Sequence, residues 1–266
     1  MLPNEPHLEI WARKPSSRST RPPLLFVHGG YTDGWCWTRH FLGWFAERGW
    51  PAYALSLRGH GGSDGAELLF ASGLDDYAGD VERVAGSLAD PPILVGHSMG
   101  AAVVERMIAT HPRRGAVLLA PVPPTGLATI AARLAFERPD ALAHMMQLDP
   151  SRLSASVLAA LRPFYFSDRV DRTILDEVSG HLSAESPRAI LDLSLRLHWV
   201  KPERNGTPLV VIGAQDDRIC TPSDVRATAR HHGVDAVILP GLAHMLMLEP
   251  EWESVAEAIA ARLPAR

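Results

Sequence analysis

Short apolar runs alternate along this chain with longer stretches in which apolar positions recur at helical spacing. A run such as Leu24-Leu25-Phe26-Val27 has no polar face, so it predicts a strand buried on both sides, and the longer stretches predict helices that cover it. Strands are expected over residues 24–27, 52–57, 92–96, 116–119, 209–213 and 236–239, with a first, antiparallel strand over 8–13. Helices are expected over 37–48, closed by Gly49, and over 74–89, 101–110, 223–231 and 252–262. This alternation predicts an α/β fold: a mostly parallel central sheet flanked by helices.

The alternation stops between Pro121 and Pro208. No strand pattern occurs there, yet Leu153, Val157, Leu158 and Leu161 keep helical spacing, as do Ile190, Leu191, Leu193, Leu195 and Leu197. So long a stretch is not a structureless loop in a compact domain. The expected organisation is therefore a core of residues 1–121 and 208–266 with a helical cap insert over 122–207. In open α/β sheets ligands bind at the carboxyl ends of the strands, so an insert leaving from such an end is placed to roof a site.

Four segments carry candidate chemistry. Gly96-His97-Ser98-Met99-Gly100 has the form G-x-S-x-G between an apolar strand and an alanine-rich helix. That pattern makes a sharp turn with the serine exposed at its tip, and its glycines give the turn room. A serine hydroxyl is a weak nucleophile and needs a base within hydrogen-bond reach. Of twelve histidines, His244 is singled out by its place, after the last core strand and before the final helix. A carboxylate should hold its imidazole in one tautomer. Asp216 and Asp217, just past the strand at 209–213, both qualify by position. For the developing oxyanion, the backbone N–H of Met99 is one expected donor. The other is Gly30, with Tyr31 as its competitor, in the loop after the strand at 24–27. His28 is read as a brace for that loop.

Charge and cysteine content narrow the field only slightly. Formal net charge is -4, which gives no electrostatic reason to expect nucleic acid or an anionic membrane as a partner. Cys36 and Cys220 are the only cysteines and match no disulfide framework or metal spacing. No metal or cofactor is called for. No apolar stretch approaches the roughly 20 residues that span a bilayer, and no leader pattern opens the chain, so a cytoplasmic protein is expected.

Five motifs in order now resemble the α/β-hydrolase superfamily over nearly the whole length: His28-Gly29-Gly30, Arg58-Gly59-His60-Gly61-Gly62-Ser63, Gly96 to Gly100, Gly213 to Pro222, and Gly241-Leu242-Ala243-His244. Within the fourth, Asp217-Arg218-Ile219-Cys220-Thr221-Pro222 is similar to the acid loop of related enzymes, which favours Asp217 over Asp216. The loop from Tyr31 to Trp37 is similar to that of the plant methylesterase and hydroxynitrile lyase branch. The resemblance implies the α/β-hydrolase fold and hydrolysis of a small-molecule carboxylic ester through an acyl-enzyme. Serine at the turn departs from members that use an aspartate nucleophile, the haloalkane dehalogenases and epoxide hydrolases. Alternatives on the same residues are a C–C hydrolase, a hydroxynitrile lyase (for which Lys201 would be a nearby cation), a lactonase, a perhydrolase, or a ligand receptor. Tyr31, Trp37, Met145, Tyr165, His198 and Met245 are the expected pocket residues, with Trp35, Met146 and Trp199 as further lid or wall candidates.

Overall fold

Alternate residues of an extended strand face opposite sides of a sheet, and here both sides are covered. The computed structural model describes residues 6–146, 155–195 and 206–264. Seven strands, β1 (Ile10–Arg13), β2 (Leu24–Val27), β3 (Ala52–Leu55), β4 (Ile93–His97), β5 (Ala116–Leu119), β6 (Leu209–Ala214) and β7 (Ala236–Leu239), form one sheet in the order β1-β3-β2-β4-β5-β6-β7. Only β1 runs antiparallel, pairing Ile10 with Leu55; the remaining pairs are parallel. This is the α/β-hydrolase fold.

The two faces of β2 and β4 separate as the alternation requires. Leu24, Phe26, Ile93 and Val95 pack on one side with α1 (Phe41–Glu47) and α10 (Trp252–Ala260). Leu25, Val27 and Leu94 pack on the other with α2 (Leu74–Ser87), α3 (Met99–Thr110) and α9 (Pro222–His232). The helix starts are written in the sequence. Thr221 and Asp224 form a capping box ahead of α9, with Pro222 in its first turn and Gly233 at φ 66° as its C-cap.

The helix expected over 37–48 is divided. Asp33 accepts the Trp35 N–H at 2.8 Å and caps a separate 3-10 turn, Gly34–Trp37, so α1 begins at Phe41. A left-handed Gly49, φ 90°, follows α1 as expected. The loop from Arg58 to Ser63 is clamped to α2 by Arg58, whose Nε and Nη2 lie 3.0 and 2.7 Å from the two oxygens of Asp80.

Between β5 and β6 come α4 (Leu127–Glu137), α5 (Pro139–Met146), α6 (Ala155–Tyr165), α7 (Arg172–Gly180) and α8 (Pro187–Ser194), with no strand among the described residues. β5 and β6 are nonetheless direct neighbours, Leu118 opposite Val211. All five helices therefore lie in one crossover, from the carboxyl end of β5 to the amino end of its parallel neighbour β6.

Trp37 corrects one expectation. It is fully buried, its ring 4.9 Å from Phe26 and 5.4 Å from Phe41, because the 3-10 turn carries it onto the sheet instead of toward a ligand. Replacing it by Ala should cost about 3–5 kcal/mol of unfolding free energy, measurable by urea denaturation. Unchanged stability with an altered substrate preference would return Trp37 to the pocket.

Candidate active site

The turn between β4 and α3 is tight enough to dictate its own sequence. A Cβ on Gly96 would fall 2.3 Å from the Gly100 carbonyl oxygen, and one on Gly100 would fall 2.4 Å from the His28 carbonyl oxygen. Ser98 sits between them at φ 52°, ψ -115°, a conformation that side chains disfavour. Its N–H donates to the Leu119 carbonyl of the neighbouring strand at 2.9 Å, and the residue stays partly exposed.

His244 and Asp217 meet on two adjacent loops. Residues past β6 and β7 are tied together by the N–H groups of Gln215 and Asp216, which donate to Leu239 and Leu242 carbonyls at 2.8 and 3.0 Å. Asp217 Oδ2 accepts from His244 Nδ1 at 2.8 Å. Its Oδ1 accepts the Ile219 and Cys220 N–H groups at 2.8 and 2.9 Å, so the carboxylate cannot rotate away. Asp217 is buried while Asp216 is exposed. Of the two aspartates, only Asp217 meets the histidine.

Neighbouring histidines differ by their partners. His97 Nε2 donates to the His244 carbonyl at 2.9 Å; burial first, and then His244, hold its pKa well below the usual value, so it is neutral. His28 Nε2 accepts the Leu57 N–H at 3.0 Å and its Nδ1 donates to the Gly29 carbonyl at 2.7 Å. Burial and the nearby His60 push its pKa down to about 3. His28 is thus a neutral brace between the loops after β2 and β3.

A cavity of about 570 Å³ opens over this turn. Ser98, His244, Gly30, Met99, Tyr31, Met145, Tyr165 and Met245 all line it. The opposite wall is apolar and comes from α4 and α8, through Leu127, Ile130, Ile190 and Leu193. A second cavity of about 420 Å³ shares Gly30, Tyr31, Tyr165 and Met245 with the first and is bounded by α6 and α7, including Leu161, Leu175 and Val178. Trp35 stacks on His181 at 4.3 Å and lines neither cavity. His198, Trp199 and Lys201 lie outside the described residues, as does the side chain of Met146.

Sequence reasoning missed Glu185. It lines the larger cavity, and its side chain is fully buried. A single glutamate outside any motif carries no signal in the sequence; only the fold brings it to the loop after β2. The second cavity was equally hidden, because its walls come from separate helices.

Comparison with known proteins places these features in a family. The model of the alpha/beta hydrolase family matches residues 24–258. The chain is 24% identical to a monoacylglycerol lipase of Mycolicibacterium smegmatis over 270 aligned positions, covering 94% of this chain and 90% of that protein. Two solved structures share the fold. A thermophilic esterase from Thermogutta terrifontis has a TM-score of 0.66 at 19% identity, covering 98% of this chain and 94% of its own. A monoacylglycerol lipase of Paleococcus ferrophilus has a TM-score of 0.64 at 23% identity, covering 97% and 98%. On its sheet order, its serine turn and this match over most of its length, the chain belongs to the alpha/beta hydrolase family.

Proposed function

We propose that this protein hydrolyses carboxylic esters through an acyl-enzyme, with Ser98 as nucleophile, His244 as general base and Asp217 as the carboxylate that orients it. The observation that carries the reading is the 2.8 Å contact of His244 Nδ1 with a buried Asp217 whose other oxygen is held by two N–H groups. A carboxylate only accepts, so Nδ1 carries the proton and Nε2 keeps its lone pair. Nε2 then takes the Ser98 proton as Oγ attacks the ester carbonyl, and later returns it to the leaving alcohol. Water, deprotonated by the same nitrogen, clears the acyl group.

The Gly30 and Met99 N–H groups are the proposed oxyanion donors. Both residues line the cavity with Ser98, and neither N–H meets a partner among the described residues. Such preorganised donors act on charge that exists only as the reaction proceeds. Residues 122–207 are proposed as a cap over the site, since α4 and α8 supply its far wall. The mostly apolar surroundings suit a small to medium apolar ester, one arm over Ser98 and the other reaching past Tyr31, Tyr165 and Met245 into the second cavity.

Three outcomes test this on p-nitrophenyl esters from acetate to laurate. Ser98→Ala should abolish turnover while leaving unfolding free energy within about 0.5 kcal/mol. Asp217→Asn should lower kcat by about ten-thousandfold, far more than Asp216→Asn; the reverse ranking would reassign the acid. Leu175→Trp, which narrows the second cavity, should lower the laurate-to-acetate ratio of kcat/KM by about tenfold or more. No turnover on any ester, in a protein whose Ser98 still reacts with a fluorophosphonate, would point to another reaction or to a ligand receptor.

A further inference from the structure

Glu185 has no part in the proposed triad, yet it is built into the same cavity. Its Oε1 accepts the Tyr77 hydroxyl at 2.8 Å and the Ser186 N–H at 2.7 Å. Its Oε2 lies 3.3 Å from both His60 Nε2 and the Tyr31 nitrogen, whose N–H donates to it. A Cβ on Gly30 would fall 3.2 Å from that same oxygen. The carboxylate therefore lies against the residue proposed to donate to the oxyanion.

Tyr31 is held from both sides by this segment. Its N–H goes to Glu185, and its carbonyl accepts the Ser183 N–H at 2.9 Å. Tyr31 needs such holding, because φ is 65° in a residue with a bulky side chain. A conformation of that kind persists where the surroundings over-determine it.

A lone anion here would oppose the negative charge expected to form on the substrate oxygen. His60 supplies the counter-charge. Its Nδ1 faces the Arg58 carbonyl at 2.9 Å and its Nε2 faces the Glu185 carboxylate. Both partners only accept, so both ring nitrogens carry protons and the ring is an imidazolium. The groups around it are Glu185 ahead of α8, Asp33 in the loop after β2, Tyr77 of α2 and the neutral His28. Burial opposes the charge on His60, but Glu185, the Arg58 carbonyl and Asp33 together raise its pKa. Burial likewise opposes the charge on Glu185, and His60, the Ser186 N–H and the Tyr77 hydroxyl together outweigh it, holding that carboxyl below its usual range.

We propose that Glu185 and His60 form a buried, charge-neutral pair that positions the oxyanion loop: Glu185 clamps the Tyr31 N–H so that the Gly30 N–H faces the substrate oxygen, and His60 cancels the field of the carboxylate there. Glu185 is a positioning residue and touches no reacting atom in this scheme, which rests on the acyl-enzyme reading above. The pair also joins the segment between α7 and α8 to the loop after β2, so cap placement and donor placement become one event.

Sign follows from the two shifts. The Glu185 charge persists as pH falls until its lowered pKa is reached, and the His60 charge is lost as pH rises through its raised pKa. Turnover should therefore show an alkaline fall that follows His60. Glu185→Gln removes the anion and cannot accept from both N–H groups at once. Whichever way the amide is turned, its NH2 group faces either the Tyr31 N–H or the Ser186 N–H.

The experiment compares wild type and Glu185→Gln on p-nitrophenyl esters across pH, with imidazole nitrogen shifts of His60 followed by NMR in the wild type. The expected result is a fall in kcat of about tenfold or more with KM changed less than about threefold, and loss of the alkaline fall that follows His60. Wild-type kcat and pH profile in Glu185→Gln would overturn the proposal. So would a loss shared between kcat and KM with the pH profile unchanged, which is what packing alone would give. If Glu185→Gln does not fold, the wild type decides. A doubly protonated His60 at neutral pH, titrating together with kcat, sustains the pair, and a neutral His60 overturns it. Full turnover in Ser98→Ala would instead overturn the acyl-enzyme reading, independently of Glu185.

Discussion

Gly100 lies where the first turn of α3 passes the end of β2, and a single added carbon there would meet backbone oxygen at 2.4 Å. That close approach fixes the rest of the site. It sets how sharply the chain turns after β4, and so how far Ser98 is lifted above the sheet in a conformation it would not choose alone. It also sets where the loop after β2 runs, since the carbonyl being approached belongs to His28, two residues before Gly30. The serine and Gly30, the proposed donor, are therefore placed by one backbone contact, and His244 is brought to the same edge by the parallel neighbours β6 and β7.

Buried groups around this contact show how partners decide ionisation where solvent cannot. His28 and His97 each face a backbone N–H or carbonyl, arrangements that a neutral ring satisfies, and burial keeps them neutral. His60 faces two acceptors and carries charge. His244 faces a carboxylate on one nitrogen only. Rings of the same chemistry thus differ in which nitrogens carry protons, according to the partners each one faces.

Much of the fold was legible because two-sided burial leaves a plain mark. Leu24 to Val27 and Ala116 to Leu119 occupy the strands read from them, residue for residue. The turn at Ser98 was legible because steric exclusion leaves glycines behind, and the pairing of Asp217 with His244 followed from loop order and the acid-loop resemblance. Other features depend on contacts between distant segments and leave no local pattern. Asp33 divides the first helix through one side-chain acceptor, and that turn buries Trp37, whose sequence neighbourhood gave no hint of direction. Glu185 is invisible for the same reason: its partners Tyr31, His60 and Tyr77 are more than a hundred residues away.

The helices from α4 to α8 leave after β5 and return at β6, which lies beside it in the sheet. Insertions, deletions or wholesale replacement within that excursion leave the strand register on either side untouched, because β5 and β6 pair directly with each other. The part that shapes the cavity wall can diverge quickly while the part that places Ser98 and His244 stays fixed. One tie resists this freedom. A replacement segment must still present a carboxylate to Tyr31 and His60, so the position of Glu185 marks where inheritance of the excursion is constrained and where it is free.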